Sequence, residues 1–387
     1  MRITNGPLAS VSVVEIASLG PVPFAGMVLA DLGAEVLRID RTGESYEGNW
    51  RAGMTDPRGD VMGRGKKSLR INLKRPEGLS IAKKLISEAD IVMEGLRPGS
   101  VDRLGLGRND LLDLNSHLIF ASASGWGRDG SLSHLAGHDI NYLALSGVLG
   151  SIGPAEAPPV PPMNYLADFG AGGCLLVAGI CAALFEREKS GYGQVVDHSM
   201  LDGSILLTAM IHGMIHTGQW NPERVTNELD GAAPYYRCYA TSDDKYVAAG
   251  AIEPKFYEAF LNGVGLDPTQ WPQADRSRWP FLHTVLEERF RTRSREEWTV
   301  HFRDIDACVS PVLSLIEAAE NPMLQSVGSF TTVEGVRQPG VTPRFSRTPG
   351  SIHGSPPIPG EHTDNILNEL GHSAKEINRL RAIGVVE

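Results

Sequence analysis

The sequence predicts an α/β protein, with a Rossmann-like large domain on a parallel sheet and a smaller α+β domain. Residues 11–16 form a short apolar, β-branched run, which predicts a buried strand. Apolar residues at helical spacing follow over 24–32, and residues 34–40 predict a second strand. A strand, a helix and a strand in this order imply a parallel pair of strands.

The same pattern repeats along the first half of the chain. Further strands are predicted over residues 68–73, 90–94 and 118–124, and a helix that begins at Pro76 is predicted over 76–89. A long helix over 171–189 precedes a strand over 194–197 and one apolar helix over 199–217.

From about residue 225 the pattern of predicted elements changes. Two β-rich runs, 235–241 and 245–250, flank Ser242-Asp243-Asp244 and predict a hairpin. Helices are expected over 254–263, 280–291, 295–305 and 363–370. The predicted division is a large domain over 1–200 completed by 340–387, a small domain over 225–325, and linkers over 201–224 and 326–339.

Composition limits the classes of function. The 387 residues are 42% hydrophobic and 21% charged, with a formal net charge of −10, which argues against a general nucleic-acid binder. The most apolar stretch, 174–185, is shorter than a bilayer requires. The four cysteines form no closely spaced pairs. We therefore expect a soluble, cytoplasmic protein with no membrane partner.

Two common cofactor sites are not expected. The segment 17–23 after the first strand has no GxGxxG pattern and contains two prolines, so it cannot cradle a dinucleotide pyrophosphate. His212 and His216 lie four residues apart, but the glutamate of an HExxH motif is missing, and no metal site is predicted.

Three residues are candidates for acid/base chemistry. Asp168 precedes the long helix, where an N-cap would sit, so the helix dipole should favour its ionised form. The small residues after it would let a ligand carbonyl approach backbone N–H groups, which stabilise an oxyanion. His138 opens an apolar helix, and Glu253 ends an apolar strand. Each residue also has an ordinary interpretation, as a helix cap, a structural histidine and a solvated turn.

A basic run lies between the first two predicted helices, 24–32 and 76–89. It is interpreted partly as a solvated surface and partly as a phosphate-binding site. Its members are Arg64, Lys66, Lys67, Arg70, Lys74 and Arg75.

Five motifs in this order carry a resemblance to a known family. They are Ala30-Asp31-Leu32-Gly33-Ala34-Glu35-Val36 with Arg38, Glu94-Gly95-Leu96-Arg97-Pro98-Gly99, Gly125-Trp126-Gly127, Gly137-His138-Asp139-Ile140-Asn141-Tyr142, and Gly250-Ala251-Ile252-Glu253-Pro254. Over nearly the whole chain the sequence resembles the α-methylacyl-CoA racemase branch of the family III CoA-transferases. The segment 43–62 departs from the family pattern and is interpreted as an insertion near the mouth of the coenzyme A site.

The resemblance implies a site and an assembly. It implies a catalytic His138 held by Glu253 of the smaller domain, with Asp168 on the other side of the substrate α-carbon. It also implies an interlocked homodimer whose sites combine the large domain of one chain with the small domain of the other. The coenzyme A contacts that it implies are Arg38, Ile71, Asn72, Leu73, Lys74, Gly95, Leu96, Arg97, Arg103, Gly137, Asp139, Ile140, Asn141 and Tyr142.

The function expected is inversion of the α-carbon of 2-methylacyl-CoA thioesters by transfer of a proton through an enolate. Removal of a weakly acidic α-proton needs a positioned base, and inversion needs acid/base groups on opposite faces. No cofactor is expected, since coenzyme A is part of the substrate. Two alternatives stay open: a CoA-transferase with Asp168 as nucleophile, and an acyl-CoA binding protein without catalysis. The acyl group is left open among fatty, sterol-derived and aryl-propionyl chains.

Overall fold

The computed structural model of the protein describes residues 5–43 and 57–387. Residues 44–56 of the segment that departs from the family pattern lie outside the described residues. The chain divides into two compact units, unit 1 (1–146, 162–207 and 322–387) and unit 2 (147–161 and 208–321). This division differs from the predicted domains in several places. The predicted linker over 201–224 is divided between unit 1 (201–207) and unit 2 (208–224), and residues 322–325 belong to unit 1. Residues 147–161 belong to unit 2, and most of the predicted linker over 326–339 forms a hairpin of unit 1.

Unit 1 is built on a six-stranded parallel sheet, which confirms the predicted α/β fold class. The strand order is β3-β2-β1-β4-β5-β6, so the chain winds outward in both directions from β1. A separate antiparallel pair, β10 and β11, follows later in the chain. These strands are β1 (Ser12–Ile16), β2 (Glu35–Asp40), β3 (Lys67–Arg70), β4 (Ile91–Glu94), β5 (Ile119–Ser124), β6 (Val195–Ser199), β10 (Phe330–Val333) and β11 (Val336–Pro339).

Most helices of unit 1 connect the parallel strands, and the last three lie in its C-terminal segment. They are α1 (Pro21–Asp31), α2 (Pro76–Ser87), α3 (Ser100–Arg103), α4 (Arg108–Leu114), α5 (Asp139–Leu145), a π-helix (Tyr165–Cys174), α6 (Leu175–Ser190), α7 (Met200–Leu206), α13 (Pro322–Ser326), α14 (Thr363–Glu369) and α15 (Ala374–Ala382). The single apolar helix predicted over 199–217 is wrong, because the chain breaks into α7 and α8 (Ala209–His216) at residues 207–208. The last helix, α15, was not predicted.

Each face of the parallel sheet has its own hydrophobic core. Successive side chains of a strand point to opposite faces, so Val13 and Val14 of β1 enter different clusters. Val14 packs in the cluster that contains Ile81 and Ile86 of α2. Val13 packs in the cluster that contains residues of α1 and α6, Ile180 among them. Burial on both faces explains why these strands are continuous apolar runs in the sequence.

Two cations of the basic run, which was interpreted partly as a solvated surface and partly as a binding site for phosphates, are instead buried in ion pairs. Lys66 Nζ lies 2.6 Å from Glu15 Oε2, and neither side chain is exposed. Arg64 donates two hydrogen bonds to Asp31, at 3.1 and 2.5 Å, and others to Gln338 Oε1 and the Pro339 carbonyl. Arg64 therefore fastens the β10–β11 hairpin to α1. The sequence gives no sign of these partners, because they lie far away along the chain.

Unit 2 is a smaller α+β structure. The predicted hairpin is confirmed as the antiparallel pair β7 (Tyr236–Ala240) and β8 (Tyr246–Gly250), to which β9 (Val309–Pro311) adds a third strand. Its aromatic core contains Phe260, Phe290 and Trp298. Its helices are α8, α9 (Pro254–Gly263), α10 (Trp279–Phe290), α11 (Arg295–Phe302) and α12 (Leu315–Glu320).

The π-helix and α6 form one continuous helical segment, Tyr165–Ser190, of 26 residues. By length and composition alone this segment could cross a membrane. The expectation that the most apolar stretch of the chain is too short to span a bilayer is therefore wrong. Its side chains Leu176, Ile180, Ala183 and Leu184 are buried in the core of unit 1. A core helix passes the same test, and the cytoplasmic location stays a prediction.

Replacement of Arg64 by alanine should destabilise unit 1 strongly. The change leaves the Asp31 carboxylate buried without its cation, which typically costs about 3–5 kcal/mol. The matched control is Lys67→Ala, which removes a pair with Glu35 whose side chains are 38% and 58% exposed. Exposed pairs contribute only about 0–1 kcal/mol. Chemical denaturation of both variants tests the difference, and equal midpoints would show that the Arg64 pair contributes little.

Candidate active site

A cavity of about 730 Å³ opens at the carboxyl ends of the parallel strands of unit 1. Its walls come from the segments that follow β1, β2, β4 and β5, and from the residues around His138 and Asp168. In open α/β sheets, ligands bind at this edge where the strand order reverses. The reversal here lies between β1 and β4. Its lining residues include Gly20, Arg38, Arg97, Trp126, His138, Tyr142, Asp168 and Met200.

His138 lies at the start of α5, as predicted, with an exposed side chain in the cavity wall. Asn141 Oδ1 accepts a hydrogen bond from the His138 backbone N–H at 3.0 Å. The segment before His138 is packed closely: a Cβ atom at Gly137 would lie 2.8 Å from both Trp126 and Tyr142. Glycine at this position therefore lets the backbone of His138 approach the two aromatic rings, which meet edge to face.

Asp168 lies inside the π-helix, so its predicted place at an N-cap is wrong. The cap position belongs to Asn164, whose Nδ2 donates to Asp168 Oδ2 at 3.4 Å. Two of the small residues after Asp168 allow close packing against α1. A Cβ atom at Gly173 would lie 2.5 Å from the Phe24 ring, and one at Gly172 would lie 2.9 Å from Pro21. Both neighbours belong to α1.

Burial raises the pKa of Asp168, which reverses the prediction that a helix dipole favours the ionised form. The hydrogen bond from Asn164 and the nearby His138 act in the opposite direction, and the negative charge of Asp139 adds to the rise. Asp168 also lies close to the N-cap of α1: a Cβ atom at Gly20 would lie 3.4 Å from its Cγ. A carboxyl group whose pKa is raised towards neutrality is suited to proton exchange.

The predicted coenzyme A residues fall into three groups. Those that line the large cavity are Arg38, Gly95, Leu96, Arg97, Gly137 and Tyr142. Lys74, Leu96, Arg97 and Arg103 line a second cavity of about 500 Å³ together with Arg41. Arg41, Leu96 and Arg97 are common to both cavities. The residues that line neither cavity are Ile71, Asn72, Leu73, Asp139, Ile140 and Asn141.

Two residues of that last group have side chains that serve the protein itself. Ile71 is 1% exposed, packs in the core and pairs with Val386, so its side chain is not available to a ligand. Asp139 is 5% exposed, and its Oδ2 accepts hydrogen bonds from the backbone N–H groups of Ala167 and Asp168, both at 2.8 Å. Arg38 lines the cavity but is itself buried between Asp40 and Asp60.

Glu253 belongs to unit 2. It follows β8, has an exposed side chain and occupies the N-cap position of α9. Its backbone carbonyl accepts hydrogen bonds from Phe256 and Tyr257. The prediction that Glu253 holds His138 stays a prediction.

Sequence reasoning missed the pair Glu94 and Arg128. Glu94 is 1% exposed and accepts hydrogen bonds from Ser122 Oγ at 2.6 Å and from the Leu96 N–H at 2.9 Å. Arg128 Nη1 lies 3.3 Å from Glu94 Oε1. The pair therefore orients the Gly95–Arg97 loop that both cavities share. A signal was present, since Glu94 is an acidic residue at the carboxyl end of a buried strand.

Comparison with known proteins agrees with the fold and the motifs. The chain belongs to CoA-transferase family III, whose model matches residues 8–363. It is 42% identical over 384 residues to the α-methylacyl-CoA racemase of Mus musculus, with 98% of this chain and 97% of the relative covered. It is 40% identical to the human α-methylacyl-CoA racemase, with the same shares covered.

A solved structure shares the fold. The CaiB/BaiF family protein from Brucella suis has a TM-score of 0.82 and 25% identity, with 95% of this chain and 100% of that chain covered. The family resemblance read from the five motifs is therefore confirmed. Among residues 5–43 and 57–387, no group of three or more histidine, cysteine, aspartate or glutamate side chains could hold a metal ion.

Proposed function

We propose that this protein is a racemase that interconverts the epimers of 2-methylacyl-CoA thioesters by removing and returning the α-proton. One observation carries the proposal: a single cavity is lined by both His138 and Asp168, two acid/base side chains from different elements. Racemisation of a carbon acid requires two such groups, one on each face of the α-carbon. The racemase names of the mouse and human relatives support the same function.

In the proposed reaction, His138 removes the α-proton of one epimer and Asp168 delivers a proton to the opposite face of the enolate. For the other epimer the two residues exchange roles. The raised pKa of Asp168 supports this use, because a carboxyl group must hold a proton in one direction and release it in the other. The reaction consumes no cofactor, and coenzyme A enters as part of the substrate.

The phosphates of coenzyme A are proposed to bind in the second cavity. Arg41, Lys74, Arg97 and Arg103 bring four cations to its wall. Arginine and lysine recognise phosphate through charge-assisted hydrogen bonds. Arg97 also lines the large cavity, so a ligand that fills both would place its nucleotide among the cations and its thioester towards His138.

The assembly proposed is a homodimer in the cytoplasm, in which the partner subunit's Glu253 holds His138. The family resemblance supports this arrangement, and so does the exposed carboxylate of Glu253. Contact between a carboxylate and the second ring nitrogen of a histidine fixes its tautomer and orientation.

A CoA-transferase is the second candidate function, since the family model carries that name. In that reaction the Asp168 carboxylate attacks the thioester carbonyl, the C–S bond breaks, CoA leaves as a thiolate, and an acyl-aspartyl anhydride remains. An acyl-CoA binding protein without catalysis is the third. His138 favours the racemase, because the transferase step needs no base on the opposite face.

The first experiment separates these functions. A single 2-methylacyl-CoA epimer in D2O, without an acceptor acid, should take up deuterium at the α-carbon and approach equal amounts of both epimers. Asp168→Asn and His138→Ala should each slow inversion by roughly a hundredfold or more, as expected for acid/base groups. Because burial disfavours ionised Asp168, Asp168→Asn should keep or raise the thermal midpoint, which excludes misfolding as the cause.

The opposite results identify the alternatives. An acyl adduct trapped on Asp168 by hydroxylamine or borohydride, with CoA exchange onto a free acid and no deuterium uptake, would identify a transferase. Tight binding of acyl-CoA without either reaction would identify a binding protein.

A second experiment tests the phosphate site. Arg97→Ala and Arg103→Ala should weaken acyl-CoA binding by roughly tenfold to a hundredfold, the value of one charge-assisted hydrogen bond. The loss should shrink for a substrate truncated to its pantetheine thioester. Lys84→Ala, which removes an exposed cation outside both cavities, is the control. Equal losses with the full and truncated substrates would remove these arginines from the phosphate site.

A third experiment tests the shared site. After subunit exchange has been demonstrated with two affinity tags, mixtures of inactive His138→Ala and Glu253→Ala chains should regain activity. Each hybrid dimer would contain one site with both residues intact. A hybrid no more active than either parent would show that the two residues act within one chain.

A further inference from the structure

The segment that carries Asp168 is a ten-residue π-helix, Tyr165–Cys174. Such helices are rare, usually shorter and concentrated at functional sites. The first N–H groups of any helix have no partner within it. A long π-helix therefore depends on contacts from outside to fix its first turn.

Asp139 supplies that contact. Its Oδ2 accepts hydrogen bonds from the backbone N–H groups of Ala167 and Asp168, each at 2.8 Å, and the side chain is buried. Asp139 is also the first residue of α5 and directly follows His138. One carboxylate thus joins the chain segment of His138 to the backbone of Asp168.

The rest of the π-helix is held by other elements. His198 of β6 has its Nε2 2.6 Å from the Ala171 carbonyl oxygen. The Phe169 ring stacks on Phe24 of α1, with ring centroids 4.9 Å apart. These contacts lie beyond Asp168, whereas Asp139 holds the backbone N–H groups near the start of the π-helix.

We propose that Asp139 is a positioning residue whose carboxylate fixes the separation between His138 and Asp168. The inference rests on the proposed racemase function, because only a two-base reaction requires a fixed gap across the α-carbon. A misplacement of about 1 Å can slow such a reaction by roughly a hundredfold. The role replaces the coenzyme A contact that the family resemblance implied for Asp139.

Two effects of Asp139 can be separated by substitution. Its hydrogen bonds tether the backbone, and its negative charge adds to the desolvation that raises the pKa of Asp168. Within the described part of the chain, its second oxygen, Oδ1, has no hydrogen-bond partner. Asp139→Asn keeps an acceptor oxygen and removes the charge, whereas Asp139→Ala removes both.

The two epimers of the substrate report on the two bases separately. When the α-proton faces His138, exchange with solvent without inversion needs His138 alone, because the histidine can return a deuteron to the same face. When it faces Asp168, both exchange and inversion need Asp168 in place. A general weakening of the site would slow both epimers alike.

The experiment combines amide exchange with epimer-resolved kinetics on the full chain. In Asp139→Ala, peptides that cover residues 164–169 should exchange their amides at least roughly tenfold faster, as expected when charge-assisted hydrogen bonds are lost. Inversion should slow by roughly a hundredfold, with KM within about threefold of the original. Exchange on the His138 face should persist. The control, Asp202→Ala, removes an exposed carboxylate that contacts Ser199 at the start of the neighbouring α7 and should change neither measurement.

Asp139→Asn should keep the amide protection and the KM, and should remain active on both faces. It decides the question if Asp139→Ala does not fold. A raised KM with unchanged kcat in either variant would return Asp139 to coenzyme A binding and overturn the proposal.

Two other results would also overturn it: unchanged amide exchange in Asp139→Ala, or equal losses on both faces. If the unsubstituted protein exchanges no α-proton, the racemase function fails. The amide data then decide by themselves whether Asp139 holds Asp168.

Discussion

The reversal of strand order between β1 and β4 is the constraint on which the site depends. Both strands are parallel and adjacent, but the chain leaves them in opposite directions along the sheet, so the segments after them diverge at the carboxyl edge. Gly20 from one segment and Arg97 from the other line the resulting cavity. The first turn of α1, which meets Asp168, and the loop common to both cavities are therefore placed by the topology of the sheet.

The buried ion pair between Lys66 and Glu15 lies near the carboxyl edge of the sheet and links α1 to it. Glu15 lies in the central strand, and Lys66 reaches it while also donating to the carbonyl oxygen of Pro23 in the first turn of α1. Such a pair is weak grounds for stability, since desolvation offsets much of the Coulomb attraction. Its geometric effect is clearer. The glycine at position 26 leaves room for it, because a Cβ atom there would lie 2.1 Å from Glu15 Oε2. The pair thus ties α1 to the sheet close to Gly20.

Local sequence patterns predicted helices and strands well where nearby residues determine their boundaries. The helix α9 begins at Pro254 and ends at Gly263, as predicted, since both boundaries are written in the chain. Asp168 was misjudged because its helix begins earlier, at Tyr165, and is fixed by a carboxylate 29 positions away. Arg64 was misjudged for the same reason, as its partners Asp31 and Gln338 lie 33 and 274 positions away.

The cavity residues show the same contrast between what a local motif predicts and what depends on distant contacts. The motif that contains Arg97 predicted a ligand-binding loop, and that residue lines both cavities. The motif that contains Asp139 mixes three residues of the cavity wall, Gly137, His138 and Tyr142, with one whose side chain contacts the backbone of the π-helix. A shared motif does not distinguish a residue that touches the ligand from one that holds its neighbour, because selection acts on both.

Acidic residues of the two units respond to pH in opposite senses. Burial raises the pKa of Asp168 and of Glu94, so the folded state holds their protons more tightly than the unfolded chain does. Their contribution to stability is present at low pH and is lost as the pH rises through the folded-state pKa.

In unit 2 the reverse holds for Glu297, whose pKa is lowered by hydrogen bonds from Ser294, and for Glu317, whose pKa is lowered chiefly by Arg295. Their contribution is present above the ordinary pKa and is lost in acid. At neutral pH the capping carboxylates of unit 2 therefore stabilise the fold, whereas burial of Asp168 and Glu94 opposes their ionised form. The burial that opposes ionisation of Asp168 also makes this carboxyl group hold more tightly the proton that the proposed reaction exchanges, so the same desolvation acts on stability and on the proposed chemistry.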